Sequence, residues 1–265
     1  LFSRPYVWGT WPAQLAWAKH AHLLGFLWNA EGRAFRDLYV YDADQKKLTR
    51  LTNLEPMKDP SNETEAERDV HRKDYVPPRA GIASFDLAQD GAKAVFSYRG
   101  DLYIESARGG SLARLTKTKA PELNPQFSPD ATKVAFVQGG QIYVLGLDGG
   151  TLEQRTDVKA PAKLIEFRWS PDGRHFSYSV EPTPGRTLPL PIYSGRFVAA
   201  PPFPRSVAGD VSTAEQWFVV GTSGDDPPRL MDAGRGYDSR PAKWSQDSKY
   251  LALASQWTDY KSKQI

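Results

Sequence analysis

The stretch "FSPDATKVAFVQGGQIYVL", residues 127–145, holds a turn, a strand, a tight glycine hairpin and a second strand in nineteen residues. Pro129 presets φ at a turn's first central position, and the Asp130 carboxylate can accept nearby backbone amides. After the turn, "KVAFV" alternates in the period-two manner of half-buried strands. A close copy, "WSPDGRHFSYSV", returns at 169–180.

Aligned on its first apolar residue, the phrase occurs five times, led by Trp17, Leu87, Phe127, Trp169 and Trp244. Three positions on stand His20, Asp90, Asp130, Asp172 and Asp247, and nine on stand Phe26, Phe96, Phe136, Tyr178 and Leu253. A third strand follows in "DLYVYD" (37–42), "DLYIES" (101–106), "QIYVLG" (141–146) and "QWFVVG" (216–221). A fourth follows in "KLTRLT" (47–52), "SLARLT" (111–116), "TLEQRT" (151–156) and the weaker "PPRLMD" (227–232). Four antiparallel strands per unit, with leaders 40 residues apart from 87 to 127 and 42 apart from 127 to 169, predict the blades of a β-propeller.

The expected fold is therefore all-β. Blades are placed at about 12–53, 80–118, 121–158, 163–232 and 237–265, a little over four in number. Insertions fall at 54–79 and 181–210. The first carries seven acidic and five basic residues between 54 and 80 and reads as a solvated segment with a helical turn or two around 62–72. The second is proline-rich yet keeps Ile192, Tyr193, Phe197 and Phe203, which predicts an extended hairpin or loop that packs on something. The fifth unit stops after its second strand, so the repeat predicts further blades beyond residue 265, in a ring of seven or eight. The aromatic leaders Trp17, Trp169 and Trp244 are expected in the blade cores.

Composition narrows the chemistry. The 265 residues have a formal charge of +3 and no cluster of Lys and Arg interleaved with aromatics, which argues against a nucleic-acid groove. No apolar run approaches a membrane span. With no cysteine, disulfides, thiol nucleophiles and thiolate metal sites are excluded. No Gly-x-Ser-x-Gly nucleophile elbow occurs. Among the four histidines, His20 sits at the blade-turn position, His71 in the first insertion and His175 on the outward side of a strand. His20 and His22 could share one face of a strand, but no further ligand cluster supports a metal there. The aspartates of the repeat are one per blade and read as turn residues, not calcium ligands. No catalytic residue, metal or cofactor is expected within the chain.

The blade phrase, the order "WSPDG", "LPLPIYSGRFVAAPPFPRS", "QWFVVG", and the charged stretch before "GIASFDLAQDGAKAVFSYRGDLYI" resemble the N-terminal propeller of the dipeptidyl peptidase IV branch of the prolyl oligopeptidase family. The "SPDG" phrase alone is shared by many propellers, including the periplasmic Tol-system type, so a protein-binding scaffold is the alternative reading. The family resemblance implies a serine peptidase whose Ser-Asp-His triad lies in a C-terminal α/β-hydrolase domain absent from these 265 residues. It implies that the propeller gates entry and walls the peptide cavity, and it implies a periplasmic or secreted protein. The implied partners are a peptide substrate, the hydrolase domain and, in many members, a second copy; nucleic acid and a membrane span are not expected. Exopeptidase members hold the substrate amine with paired glutamates. The corresponding stretch, "TDVKAPAKLIEF", departs from that pattern, its only acidic residues being Asp157 and Glu166. An arginine from the first-blade region grips a substrate carbonyl in the family, and Arg33 and Arg36, in the loop "NAEGRAFRDLY" between second and third strands, are the candidate substrate-binding residues.

Overall fold

The computed structural model describes residues 11–30, 35–54, 80–181, 187–189, 202–204, 215–224, 226–232 and 238–256. Arg33, His71 and the helical turn expected around 62–72 lie outside the described residues. Among the described residues there is no α-helix, and the chain divides into two compact units, 1–154 and 155–265.

The first unit contains three antiparallel sheets. Sheet 1 orders β1 (Ala13–Ala18), β2 (Leu23–Trp28), β3 (Phe35–Asp42) and β4 (Lys47–Arg50), with β5 (Ala80–Gly81) parallel to the start of β3. Sheet 2 orders β6 (Ser84–Leu87), β7 (Lys93–Tyr98), β8 (Asp101–Ser106) and β9 (Ala113–Arg114). Sheet 3 orders β10 (Glu122–Phe127), β11 (Lys133–Gln138), β12 (Gln141–Gly146) and β13 (Leu152–Gln154). These are the strands anticipated from the repeat, with fourth strands shorter than their phrases suggested.

The second unit repeats the pattern. One sheet orders β14 (Lys163–Trp169), β15 (His175–Glu181), β18 (Gln216–Gly221) and β19 (Arg229–Asp232). Between its second and third strands, β16 (Thr187–Pro189) pairs with β17 (Pro202–Pro204), the extended hairpin expected of the proline-rich insertion. A further pair, β20 (Asp238–Trp244) and β21 (Leu251–Gln256), begins the next sheet.

The recurring turn explains the recurring phrase. Asp130 Oδ1 accepts the Thr132 N–H at 3.1 Å and the Ser128 hydroxyl at 2.6 Å. Asp172 accepts the Arg174 N–H and the Ser170 hydroxyl, Asp247 those of Lys249 and Ser245, and Asp90 the Ala92 N–H. The carboxylate thus replaces backbone acceptors that the tight corner cannot provide. The residue after each aspartate has positive φ, at Gly91, Ala131, Gly173 and Ser248 alike.

Packing follows the same repeat. Within the first unit, Leu87 joins a core cluster with Leu23, Leu27, Leu38 and Val40 of sheet 1. Phe127 joins one with Val95 and Leu102 of sheet 2. Sheet 2 is covered on both faces, so Ala94 to Tyr98 of β7 are all buried, with the Ser97 hydroxyl donating to the Glu122 carbonyl. Within the first unit, Leu87 and Phe127 therefore each pack on the preceding sheet. That rule corrects one expectation: Trp17 is not a core residue but half exposed, because within its unit no sheet precedes β1. Trp169 and Trp244 are partly buried.

Candidate functional site

The first strands of sheets 2 and 3 run side by side. The Asn124 N–H donates to Ser84 Oγ at 2.9 Å and the Phe127 N–H to Asp86 Oδ2 at 2.8 Å, offsets of about one repeat. Within the first unit, therefore, the ends of second strands and the starts of third strands lie at one end, and the turns between first and second strands at the other. The first insertion departs from that former end, after Leu54, and returns at Ala80.

Arg36 lies at this end, but in a strand and not in a loop. The extra pairing responsible is local: Arg36 is opposite Gly81 in the parallel β3–β5 ladder, and its carbonyl accepts the Ile82 N–H at 3.1 Å. Gly81 has φ +109°, and a Cβ there would stand 2.3 Å from the Arg36 oxygen, so only glycine brings the returning insertion this close.

Beside Arg36, the Phe35 ring meets the Tyr98 ring edge-on at 5.9 Å, and Tyr98 in turn meets Tyr103. The Arg99 guanidinium lies 5.2 Å from the Tyr98 ring centroid. Arg99 was not anticipated from the sequence. It occupies the first central position of the "YRGD" hairpin with φ +51°, followed by Gly100 at +82°, a turn that sheet 3 makes with Gly139-Gly140. The guanidinium stands where sheet 3 has glycine, and the contrast of "YRGD" with "QGGQ" was the available signal. Arginines at this end offer fixed forks of donors suited to a carbonyl or carboxylate.

Beneath this rim lies a buried polar network. Asp101, first in β8, receives Arg114 Nη2 at 2.5 Å and the Thr118 N–H at 3.0 Å. Glu122, first in β10 and wholly buried, accepts the Thr116 hydroxyl, has Thr118 Oγ1 2.8 Å from Oε1, and is reached by Gln138 Nε2. Burial pushes its carboxyl above the ordinary glutamate range; the threonine hydroxyls oppose that, and the nearby Asp101 charge adds to it. Sheet 1 has the same device in Asp37, Arg50 (2.6 Å) and Thr52 (2.8 Å). Protein groups satisfy both carboxylates, and the network anchors the rim.

Asp86, on innermost strand β6, has burial as the main influence on its carboxyl, which is pushed up to about 6 against the opposing N–H bonds of Phe127 and Leu87. A folded-state pKa above the unfolded value of about 3.9 favours the protonated form in the fold. The associated stability is full below about pH 4 and lost as pH rises through about 6. Asp86→Asn keeps an acceptor for Phe127 without the charge. It should leave stability near pH 4 unchanged and raise it at pH 8 by about 1–2 kcal/mol, read by urea unfolding at both pH values.

None of the described imidazoles, those of His20, His22 and His175, hydrogen-bonds a serine side chain. His20 falls in a 3-10 turn and His22 in a left-handed conformation bonded to Asp44 at 3.0 Å, so they do not share a strand face as the i, i+2 reading required. Ser128, Ser170 and Ser245 contact aspartates, but as three copies of one turn. Asp157 and Glu166 are each engaged locally, with Lys159 at 2.6 Å and Arg168 at 3.3 Å.

No protein-family model and no curated protein matches this sequence. Among solved structures, the chain is similar to dipeptidyl peptidase 4 of Porphyromonas gingivalis, with a TM-score of 0.56 at 14% identity over 90% of this chain and 35% of that one. It is also similar to the tricorn protease, with a TM-score of 0.50 at 11% identity over 87% of this chain and 22% of that one. The chain thus spans about a third and about a fifth of these two proteins. The resemblance to the dipeptidyl peptidase IV branch holds at the level of the fold: this is a stretch of four-stranded propeller blades of the kind built into those peptidases.

Proposed function

We propose that the chain is the propeller portion of a serine peptidase of the prolyl oligopeptidase family, non-catalytic by itself, gating access to and walling a peptide cavity. The observation that carries this reading is the likeness to part of dipeptidyl peptidase 4 across 90% of the chain. The arrangement of the first unit supports it, because Arg36, Arg99 and the departure of the first insertion are at one end. A cavity wall at that end would use the guanidinium forks to orient an extended peptide through its carbonyls or terminal carboxylate. The triad, the hydrolase domain, a periplasmic or secreted location and pairing with a second copy belong to the same proposal.

The test is made on the full-length gene product containing these residues. It should bind a fluorophosphonate probe at one serine outside residues 1–265 and hydrolyse chromogenic peptides with proline before the scissile bond. In that enzyme, Arg99→Gly should keep or raise the melting temperature by relieving the left-handed strain, and raise KM about tenfold. A folded full-length protein that takes no probe and turns over no peptide would instead be a protein-binding propeller scaffold.

A further inference from the structure

We infer that Ser179 and Trp217 form an internal water-binding site on one face of the β14–β15–β18–β19 sheet, where the water ties together the two strands that flank the second insertion.

Two buried donors meet there. Ser179 and Trp217 stand directly opposite each other in the β15–β18 ladder, so their side chains rise from the same face. They are 0% and 1% exposed, and neither Ser179 Oγ nor Trp217 Nε1 has a hydrogen-bond partner among the described residues. An indole N–H can only donate, and a donor buried without an acceptor carries its full desolvation cost.

Other copies of the repeat show how unusual the pair is. Trp217 is the second residue of "QWFVVG", a place where sheets 1, 2 and 3 have Leu38, Leu102 and Ile142, all aliphatic and wholly buried. Tryptophan thus brings a polar N–H to a position that three copies keep apolar. Ser179 stands ten residues after its leader, as Ser97 does in sheet 2. The Ser97 hydroxyl donates across the seam to the Glu122 carbonyl of sheet 3, so a serine here calls for an oxygen on its far side. Ser177, on the same face as Ser179, has its partner: it accepts the Trp244 indole N–H at 3.0 Å.

Water is the acceptor that fits. Both donor atoms are covered, which excludes a bulky ligand, and two donors from adjacent strands are answered by one oxygen with two lone pairs. Glu166 belongs to the same cross-strand row, opposite Ser179 on β14, and its mostly covered carboxylate accepts a hydrogen of the water in return. Room comes from Ala242, buried two residues before Trp244, where sheet 2 has the larger Phe85 two residues before Leu87. The site lies just inside Glu181 and Gln216, the ends of β15 and β18, so the water bonds both strands at the root of the insertion. This inference rests on the two donors and is independent of the peptidase reading.

The experiment uses the full-length protein. Its crystal structure at high resolution should show a water about 3 Å from both Ser179 Oγ and Trp217 Nε1. In protein isotopically labelled at tryptophan, the Trp217 indole proton should give a cross-relaxation peak with bound water. Ser179→Val installs the residue that sheet 3 carries at the equivalent Val137, removes one donor and fills the space, and it should abolish that peak. Ser179→Thr keeps the hydroxyl and should retain it. Where Ser179→Val does not fold, the wild-type map and spectrum carry the test. A protein oxygen bonded to either donor, no water at the pair, or a peak unchanged in Ser179→Val overturns the inference. None of these readings alters the serine-labelling result, so failure here and failure of the peptidase assignment are separable.

Discussion

Asp101→Ala should lower the unfolding free energy by about 3 kcal/mol. The carboxylate is almost fully buried, while Arg114 keeps 24% of its side-chain surface exposed, so the loss lies at the lower end of the range for breaking a buried pair. Two donors lose an acceptor: Arg114 Nη2, at 2.5 Å, and the Thr118 N–H, at 3.0 Å, while Arg114 Nε keeps the Thr116 carbonyl. One effect opposes these, since Asp101 holds the Glu122 carboxyl up by like-charge repulsion, and its removal relieves that. Relief is the smaller effect because burial is the first cause of the Glu122 shift. Urea unfolding of the single variants and of Asp101→Ala/Arg114→Ala should give a double mutant less destabilised than the sum of its parts, by about 1–2 kcal/mol. A cost below about 1 kcal/mol would show the network to be water-accessible and the blade seam looser than described.

Gly81→Ala should cost about 3 kcal/mol, combining a backbone conformation that L-residues rarely adopt with a clash that has no flexible partner. At φ +109° the new Cβ meets the Arg36 oxygen at 2.3 Å and the Arg36 nitrogen at 2.6 Å. Neither atom can move without opening the two-residue β3–β5 ladder. The Ile82 N–H, donated to the Arg36 carbonyl in the native chain, is the direct reporter, and its hydrogen exchange should quicken about 100-fold. Unchanged exchange at Ile82 would mean that the insertion's return is held elsewhere.

These two variants probe features of different legibility. The Asp101–Arg114 pair was readable in principle: Asp37 and Arg50, Asp101 and Arg114, and Gln141 and Gln154 are each 13 residues apart in "DLY…RLT"-type phrases, and the third pair changes both members together. The pairing is hidden in a strand pattern because Asp and Arg are ordinary surface residues until one end of the sheet is buried. The contact of Gly81 with Arg36 had no signal of that kind. It joins residues 45 apart across an insertion, and it moves Arg36 from the expected loop into a strand.

Local chemistry made the blades legible. A Ser-x-Asp corner satisfies its own amides, and a following strand alternates or does not according to the pleat, so both are written within a dozen residues and survive any change of neighbours. Burial is not local. Trp17 and Phe127 head the same phrase, yet one is half exposed and the other buried, because the sheet that covers Phe127 lies a whole repeat away in the chain and within its unit Trp17 has no such sheet. Tyr98 shows the same division: "YRGD" announces a hairpin and sets the Arg99 guanidinium beside the Tyr98 ring, but that this ring meets Phe35 depends on how two adjacent sheets meet. The one-dimensional pattern determined which residues turn and which extend. Which of them face a neighbour, a rim or water was decided only when the sheets stacked, since that depends on distances no spacing encodes.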